Sequence, residues 1–238
     1  MFAPGAHSEG RLSPGVRAAY VAWFALWLLV YLDYFGWSFL LWFCCMANVY
    51  AFVGCLTGGT LWFSLAAVTA LGVHVVYALD FAAALAQLPS LGATDYMFDP
   101  TRPLLVRGLS LFHLWMPCLL GYAILKLGYD RRAFAIQTTV AWCVLPVCYL
   151  AFDPSLDTND AIFPLVHGHP FDRDFNINWV HAFYDRPDAH ADTGRLWSVM
   201  FGYPLLFQLP VHRALLALTH RPGAVATAAA LPGHAEVR

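Results

Sequence analysis

Residues 18–56 read AAYVAWFALWLLVYLDYFGWSFLLWFCCMANVYAFVGCL and are apolar almost throughout. One unbroken helix of that length would be about 60 Å long, twice the hydrocarbon thickness of a bilayer at roughly 30 Å. The interruption at Asp33-Tyr34-Phe35-Gly36 therefore predicts a turn, with spans over 18–32 and 37–56 forming a helical hairpin.

The same reading extends along the chain. Thr57-Gly58-Gly59 punctuates it, and a third span over 60–85 carries His74 and Asp80. A loop rich in proline and aspartate, 88–103, precedes a fourth span over 104–127, interrupted early at Arg107-Gly108 and kinked at Pro117. The charged turn Tyr129-Asp130-Arg131-Arg132 leads to a fifth span, 134–152, containing Pro146. A long polar segment, 153–195, separates it from a sixth, 196–218, containing Pro204 and Pro210. The fold class is thus all-α, a polytopic transmembrane bundle of about six spans with proline-kinked helices. Its organisation is a short N-terminal tail over 1–16, the transmembrane domain over 17–218, and an Ala/Pro/Gly-rich tail over 219–238 expected to be disordered.

Composition supports this assignment. Of 238 residues, 60% are hydrophobic and only 12% charged, whereas a soluble domain carries roughly a quarter charged residues. The net charge of −2, from 13 basic and 15 acidic residues, leaves no footprint for nucleic acid. With six spans both termini share one side, which collects Arg11, Arg17, Lys126, Arg131, Arg132, Arg213, Arg221 and Arg238. Arg102, Arg107, Arg173, Arg186 and Arg195 fall on the other. This bias places the termini in the cytoplasm. The N-terminal stretch lacks the plan of a cleaved leader, so the first apolar run is expected to remain as a span.

Candidate chemistry lies where polar groups are costly. An ionisable side chain at mid-span costs something like 2.5–3.5 kcal/mol on insertion scales, so it faces protein or water. His74, Tyr77 and Asp80 are spaced three apart on the third span, and Ser110 and His113 three apart on the fourth. Such faces converge on a polar pocket, or each polar group is satisfied by a neighbouring helix. In a catalytic reading His113 is the base, Cys45 or Ser110 the nucleophile and Asp80 the orienting group; Cys44 stands beside Cys45, and a thiol buried among apolar groups is otherwise inert. Binding candidates are His74, Asp130, Arg131, Asn176, Asn178 and His212. Asp130 is placed to neutralise one arginine of its turn, and Asn176 to Trp179 reads as a short return to the membrane interface.

The six cysteines show no CxxC pair, so no zinc or redox motif emerges. Asp172, Asp174, Asn176 and Asn178 imitate the start of a calcium loop, but Ile177 and Phe183 stand where its glycine and final acid belong. His167 and His169 supply imidazoles without a closed ligand set. No bound metal or cofactor is expected.

Residues 37–48, Asp80-Phe81, Tyr96-Met97-Phe98-Asp99, 107–113, 127–133 and 176–180 carry a resemblance over roughly 37–213. They are similar to motifs of a bacterial group of small polytopic membrane proteins without an assigned activity. The resemblance implies a bacterial inner membrane and transfers no catalytic residue. In plan alone, six helices with an embedded Cys or Thr and a His, the chain also resembles intramembrane lipid hydrolases and acyltransferases.

Three function classes follow. The preferred one is a structural or partner-binding membrane module whose partners are the lipid bilayer and another membrane protein. The first alternative is a lipid-modifying enzyme with a lipid substrate in a pocket around His113. The second is a small-molecule carrier.

Overall fold

The computed structural model describes residues 11–151, 177–180 and 193–219, and among these every regular element is helical. The histidine and aspartate candidates of the long polar segment, together with Asn176, and the C-terminal tail lie outside the described residues.

Helix α1, Pro14–Phe35, starts where Ser13 accepts the Val16 amide and Pro14 occupies the first turn, two features that favour helix initiation. It ends at Gly36, whose φ of 70° suits glycine. The hairpin turn therefore falls after Asp33, which stays within the helix. The expected second span is divided: Trp37–Leu41 forms a 3-10 turn, and α2, Phe43–Thr57, contributes the remaining 15 residues. Gly58, left-handed at φ 74°, and Gly59 turn the chain into α3, Thr60–Leu85. The loop beyond it leads to α4, Leu104–Ser110, and α5, Phe112–Leu127. Their junction is Leu111, three residues beyond the expected interruption at Gly108.

Helix α6, Arg132–Ala151, contains Pro146, as α5 contains Pro117. Helix α7, Thr193–Tyr203, passes through a π-helical segment, Pro204–Gln208, into α8, Leu209–Thr219. Pro204 has no N–H to offer the Met200 carbonyl one turn back, and the Trp142 indole donates to that carbonyl at 2.9 Å.

Four helical stretches are long and apolar enough to cross a membrane: Pro14–Phe35, Thr60–Leu85, Leu104–Leu127 taking α4 and α5 together, and Arg132–Leu150. The third helix is central, with 56% of its apolar window buried against 22% for α1. Ala47, Ala51 and Cys55 on α2 pack against α3, where Ala66, Ala67 and Ala70 are buried. Small residues let the backbones approach, and that packing carries helix association in lipid, where apolar side chains gain nothing by leaving the solvent. A Cβ at Gly54 would come within 2.9 Å of the Phe63 ring. Leu29, Leu79, Leu125 and Leu206, each at least two-thirds exposed, belong to an apolar outer surface matched to acyl chains rather than water.

Side-chain contacts define two ends of this bundle. At one, Arg17 donates to the terminal carbonyls Cys55 and Leu56 of α2, Asp130 donates its amide to Ser64, and Tyr129 meets His212. At the other, Tyr31 meets Ser110, Asp80 holds the 88–94 loop, and Asn178 reaches the start of α2.

Candidate functional site

The polar core lies at the second end, where the breaks flanking α2 and α5 bring short-range partners together. The ring of His113 is stacked between Tyr77, at a centroid distance of 4.1 Å, and Phe112, at 4.0 Å. Its Nδ1 lies 2.8 Å from the Ser110 carbonyl. A carbonyl only accepts, so Nδ1 carries the proton and Nε2 keeps the lone pair, the arrangement by which an orienting group prepares an imidazole base.

Cys44 lies close to this imidazole. Its sulfur is 3.9 Å from that of Cys45, which is buried, whereas Cys44 is half-buried. Helical geometry turns adjacent side chains about 100° apart, so of the two only Cys44 meets His113. The structure thus moves the thiol of interest by one position from the sequence expectation of Cys45.

Hydroxyl groups border the pair. Ser110 donates to the Val106 carbonyl at 3.1 Å, so its oxygen accepts the Tyr31 hydroxyl proton. Tyr77 and Tyr96 hydroxyls are 3.1 Å apart, and Tyr96 also approaches Ser110. Ser110 is committed to this network and does not face a base as a nucleophile would. His74 is fully buried, 5.1 Å from His113 between ring centroids, and neither of its nitrogens has a hydrogen-bond partner.

Asp80 is brought to the same end but spends its carboxylate elsewhere. It accepts from the Leu91 amide and from the Thr94 amide and hydroxyl at 2.9 and 2.8 Å, fastening the loop beyond α3. No hydrogen bond joins it to His113 among the contacts described, so the orienting group of that imidazole is the Ser110 carbonyl. Asn178 is equally engaged: in the left-handed region at φ 56°, it accepts the Phe43 amide at 3.0 Å and donates to Leu41 at 2.8 Å. It caps α2 from a distant part of the chain, because Trp42 at the helix start offers no capping side chain.

The remaining binding candidates occupy the opposite end. Asp130 forms a two-pronged pair with Arg132, with contacts of 2.7–3.1 Å, while Arg131 beside it is exposed. His212 stacks on Phe134 and its Nδ1 is 2.6 Å from the Tyr129 hydroxyl. Burial, reinforced by the negative charge of Asp130, raises the Tyr129 phenol well above its ordinary range, so it stays protonated. Among the described residues no three histidine, cysteine or acidic side chains are grouped to hold a metal ion.

Tyr31, Tyr96 and Cys44 complete a cluster whose other members, His74, Tyr77, Ser110 and His113, stand out in the sequence by their spacing. Tyr31 sits on the first span with no polar neighbour at helical spacing toward this site, and only the fold reveals its partner. Compared with protein-family models, curated proteins and solved structures, the chain gives no match.

Proposed function

We propose that this chain is a six-span protein of a bacterial inner membrane, with cytoplasmic termini, that modifies lipid by acyl transfer through Cys44 and His113. The six-span plan is supported by the alternation of helix ends and by the continuous helical course of 193–219 beside α3 and α6. The orientation rests on the charge bias and the bacterial membrane on the sequence resemblance.

The observation that carries the activity is the nearness of Cys44 to an imidazole whose Nδ1 is fixed by the Ser110 carbonyl. In the proposed step Nε2 takes the thiol proton as sulfur attacks an acyl carbonyl. A thioester forms, the ester C–O bond breaks, and the imidazolium returns the proton to the leaving alkoxide. Water or a second alcohol then takes the acyl group by the reverse sequence.

The test is incubation of the reconstituted protein with an alkyne-tagged fatty acyl ester of a phospholipid. Hydroxylamine-sensitive label is expected on Cys44, absent from Cys44→Ala and retained in Cys45→Ser. Label that persists in Cys44→Ala, or none in the wild type, sinks the proposal.

The non-catalytic membrane module is a second reading, favoured by the way Asp80, Asn178 and Asp130 all spend their polar atoms on loops and helix ends. It expects His113→Gln to lower thermal stability and phenotype together, with no covalent intermediate.

A further inference from the structure

The arginines differ in how their charge is met. Arg102 pairs with Asp99 at 3.5 Å and lies over the Tyr96 ring, Arg132 pairs with Asp130, and Arg17 caps the carbonyl end of α2. Among the described residues Arg107 on α4 has no such partner: one hydrogen bond goes from a terminal nitrogen to the Met97 carbonyl at 3.1 Å, its Nε is buried without an acceptor, and no carboxylate lies within ion-pair distance.

A half-buried guanidinium with an orphaned N–H is expensive near lipid, and a planar fork of donors is suited to a phosphate or carboxylate. The surroundings leave room for one. A side chain at Gly108, the next residue, would meet nothing within 4 Å, and Leu104 and Leu105 on the same short helix are exposed apolar groups. Arg107 lies beside the loop that closes this end of the bundle, in the first turn of the apolar stretch Leu104–Leu127. Ser110 and His113 follow three and six residues deeper, and six residues of helix rise about 9 Å. The glycerol backbone of a phospholipid runs in the same direction, from phosphate to acyl esters. His74, fully buried 5.1 Å from His113 between ring centroids and with neither nitrogen hydrogen-bonded among the described residues, offers a polar group for an ester oxygen.

We infer that Arg107 is the docking residue for the phosphate of a phospholipid, entering at the outer end of α4 with its acyl esters directed toward Cys44 and His113. What the docked lipid undergoes rests on the acyl-transfer reading; the docking itself does not.

The test uses the full chain in dodecyl maltoside micelles, measuring the melting temperature and the lipid retained on native mass spectrometry. The additives are dioleoyl phosphatidylglycerol, dioleoylglycerol with the same acyl chains and no phosphate, and inorganic phosphate. Phosphatidylglycerol should raise the melting temperature and stay bound, while dioleoylglycerol and inorganic phosphate should do neither. Arg107→Gln should weaken retention about tenfold or more, the scale of a lost charged hydrogen-bond pair, and Arg107→Lys should recover part of it. Arg102→Gln, at an arginine already paired, should bind as the wild type does. Undiminished retention in Arg107→Gln and Arg107→Lys overturns the assignment, as does equal stabilisation by inorganic phosphate or by dioleoylglycerol. Should Arg107→Gln fail to fold, the comparison of Arg107→Lys with Arg102→Gln decides the same question. Retention is measured on the wild type and the Arg107 variants without reference to Cys44 labelling, so a failure of acyl transfer is read separately from a failure of docking.

Discussion

Each end of the bundle places a histidine beside a tyrosine, and the two pairs are used differently. At the end formed by α1, α5, α6 and α8, the His212 Nδ1 is taken by Tyr129 and the ring lies against Phe134. Asp130 and Arg132 neutralise each other beside it. At the opposite end Tyr77 stacks on His113 without hydrogen bonding to it. One ring nitrogen is fixed by a backbone carbonyl and Cys44 lies close to the ring, while the nitrogens of His74 have no hydrogen-bond partner among the described residues. A closed set of contacts holds a turn in place; an incomplete one, kept open inside a protein, is where a ligand gains most by binding. The comparison teaches that residue type alone does not mark the site, since both ends hold the same types.

The largest expected effect breaks or upholds this contrast directly. His113→Gln should lower the rate of Cys44 acylation about 10²- to 10⁴-fold, the usual range for loss of a general base, with expression retained. His212→Gln should leave that rate unchanged. Equal losses at the two histidines, followed by quantitative labelling, would erase the distinction.

A smaller effect sharpens the part played by the scaffold. At the α2–α3 seam, Gly54→Leu forces a side chain against Phe63, and overpacking of this kind costs about 1–3 kcal/mol. Thermal unfolding in detergent should show it, and Cys44 acylation should fall with the folded fraction. Asn178→Ala removes the cap of the helix that carries Cys44 and should cost about 1 kcal/mol by the same measurement. An unchanged melting temperature in Asn178→Ala would show that α2 needs no cap from the outer segment.

The smallest effect concerns pH at the loop beyond α3. Hydrogen bonds from the Thr101 hydroxyl and amide, with Arg102 adding its charge, hold the Asp99 carboxyl below its ordinary range. A depressed carboxyl contributes stability above its unfolded value and loses it as pH falls through the folded value. Protection of the Thr101 amide against exchange, relative to its intrinsic rate, should therefore fall on acidification below the ordinary aspartate range in the wild type and show no such step in Asp99→Asn.

Much of the architecture was legible because its determinants are local. Apolar length alone locates the long helices, and the glycine pair at 58–59 closes the α2–α3 hairpin where expected. The first hairpin turn falls at the glycine end of the expected break over 33–36, because a carboxylate near the end of a span is tolerated within the helix and Gly36 supplies the positive φ. The split of 37–56 escaped notice since an apolar run has the same hydropathy in a 3-10 turn as in an α-helix. Asn178 was singled out for binding, and its actual work, capping a helix more than a hundred residues earlier, has no signature at that separation.

Composition and apolar run length determined by themselves that this chain is helical and belongs in a membrane, because lipid imposes one rule on every backbone N–H and C=O regardless of neighbours. They also determined which ionisable groups are costly enough to need explaining. Tertiary structure alone decided that Cys44 and not Cys45 meets His113, that Asp80 holds a loop, that Tyr31 reaches Ser110 and that Arg107 has no counter-charge among the described residues. Those outcomes turn on rotations of about 100° per residue and on approaches of about 3 Å between helices far apart in the chain, and spacing along one helix holds no information about which face its neighbour presents.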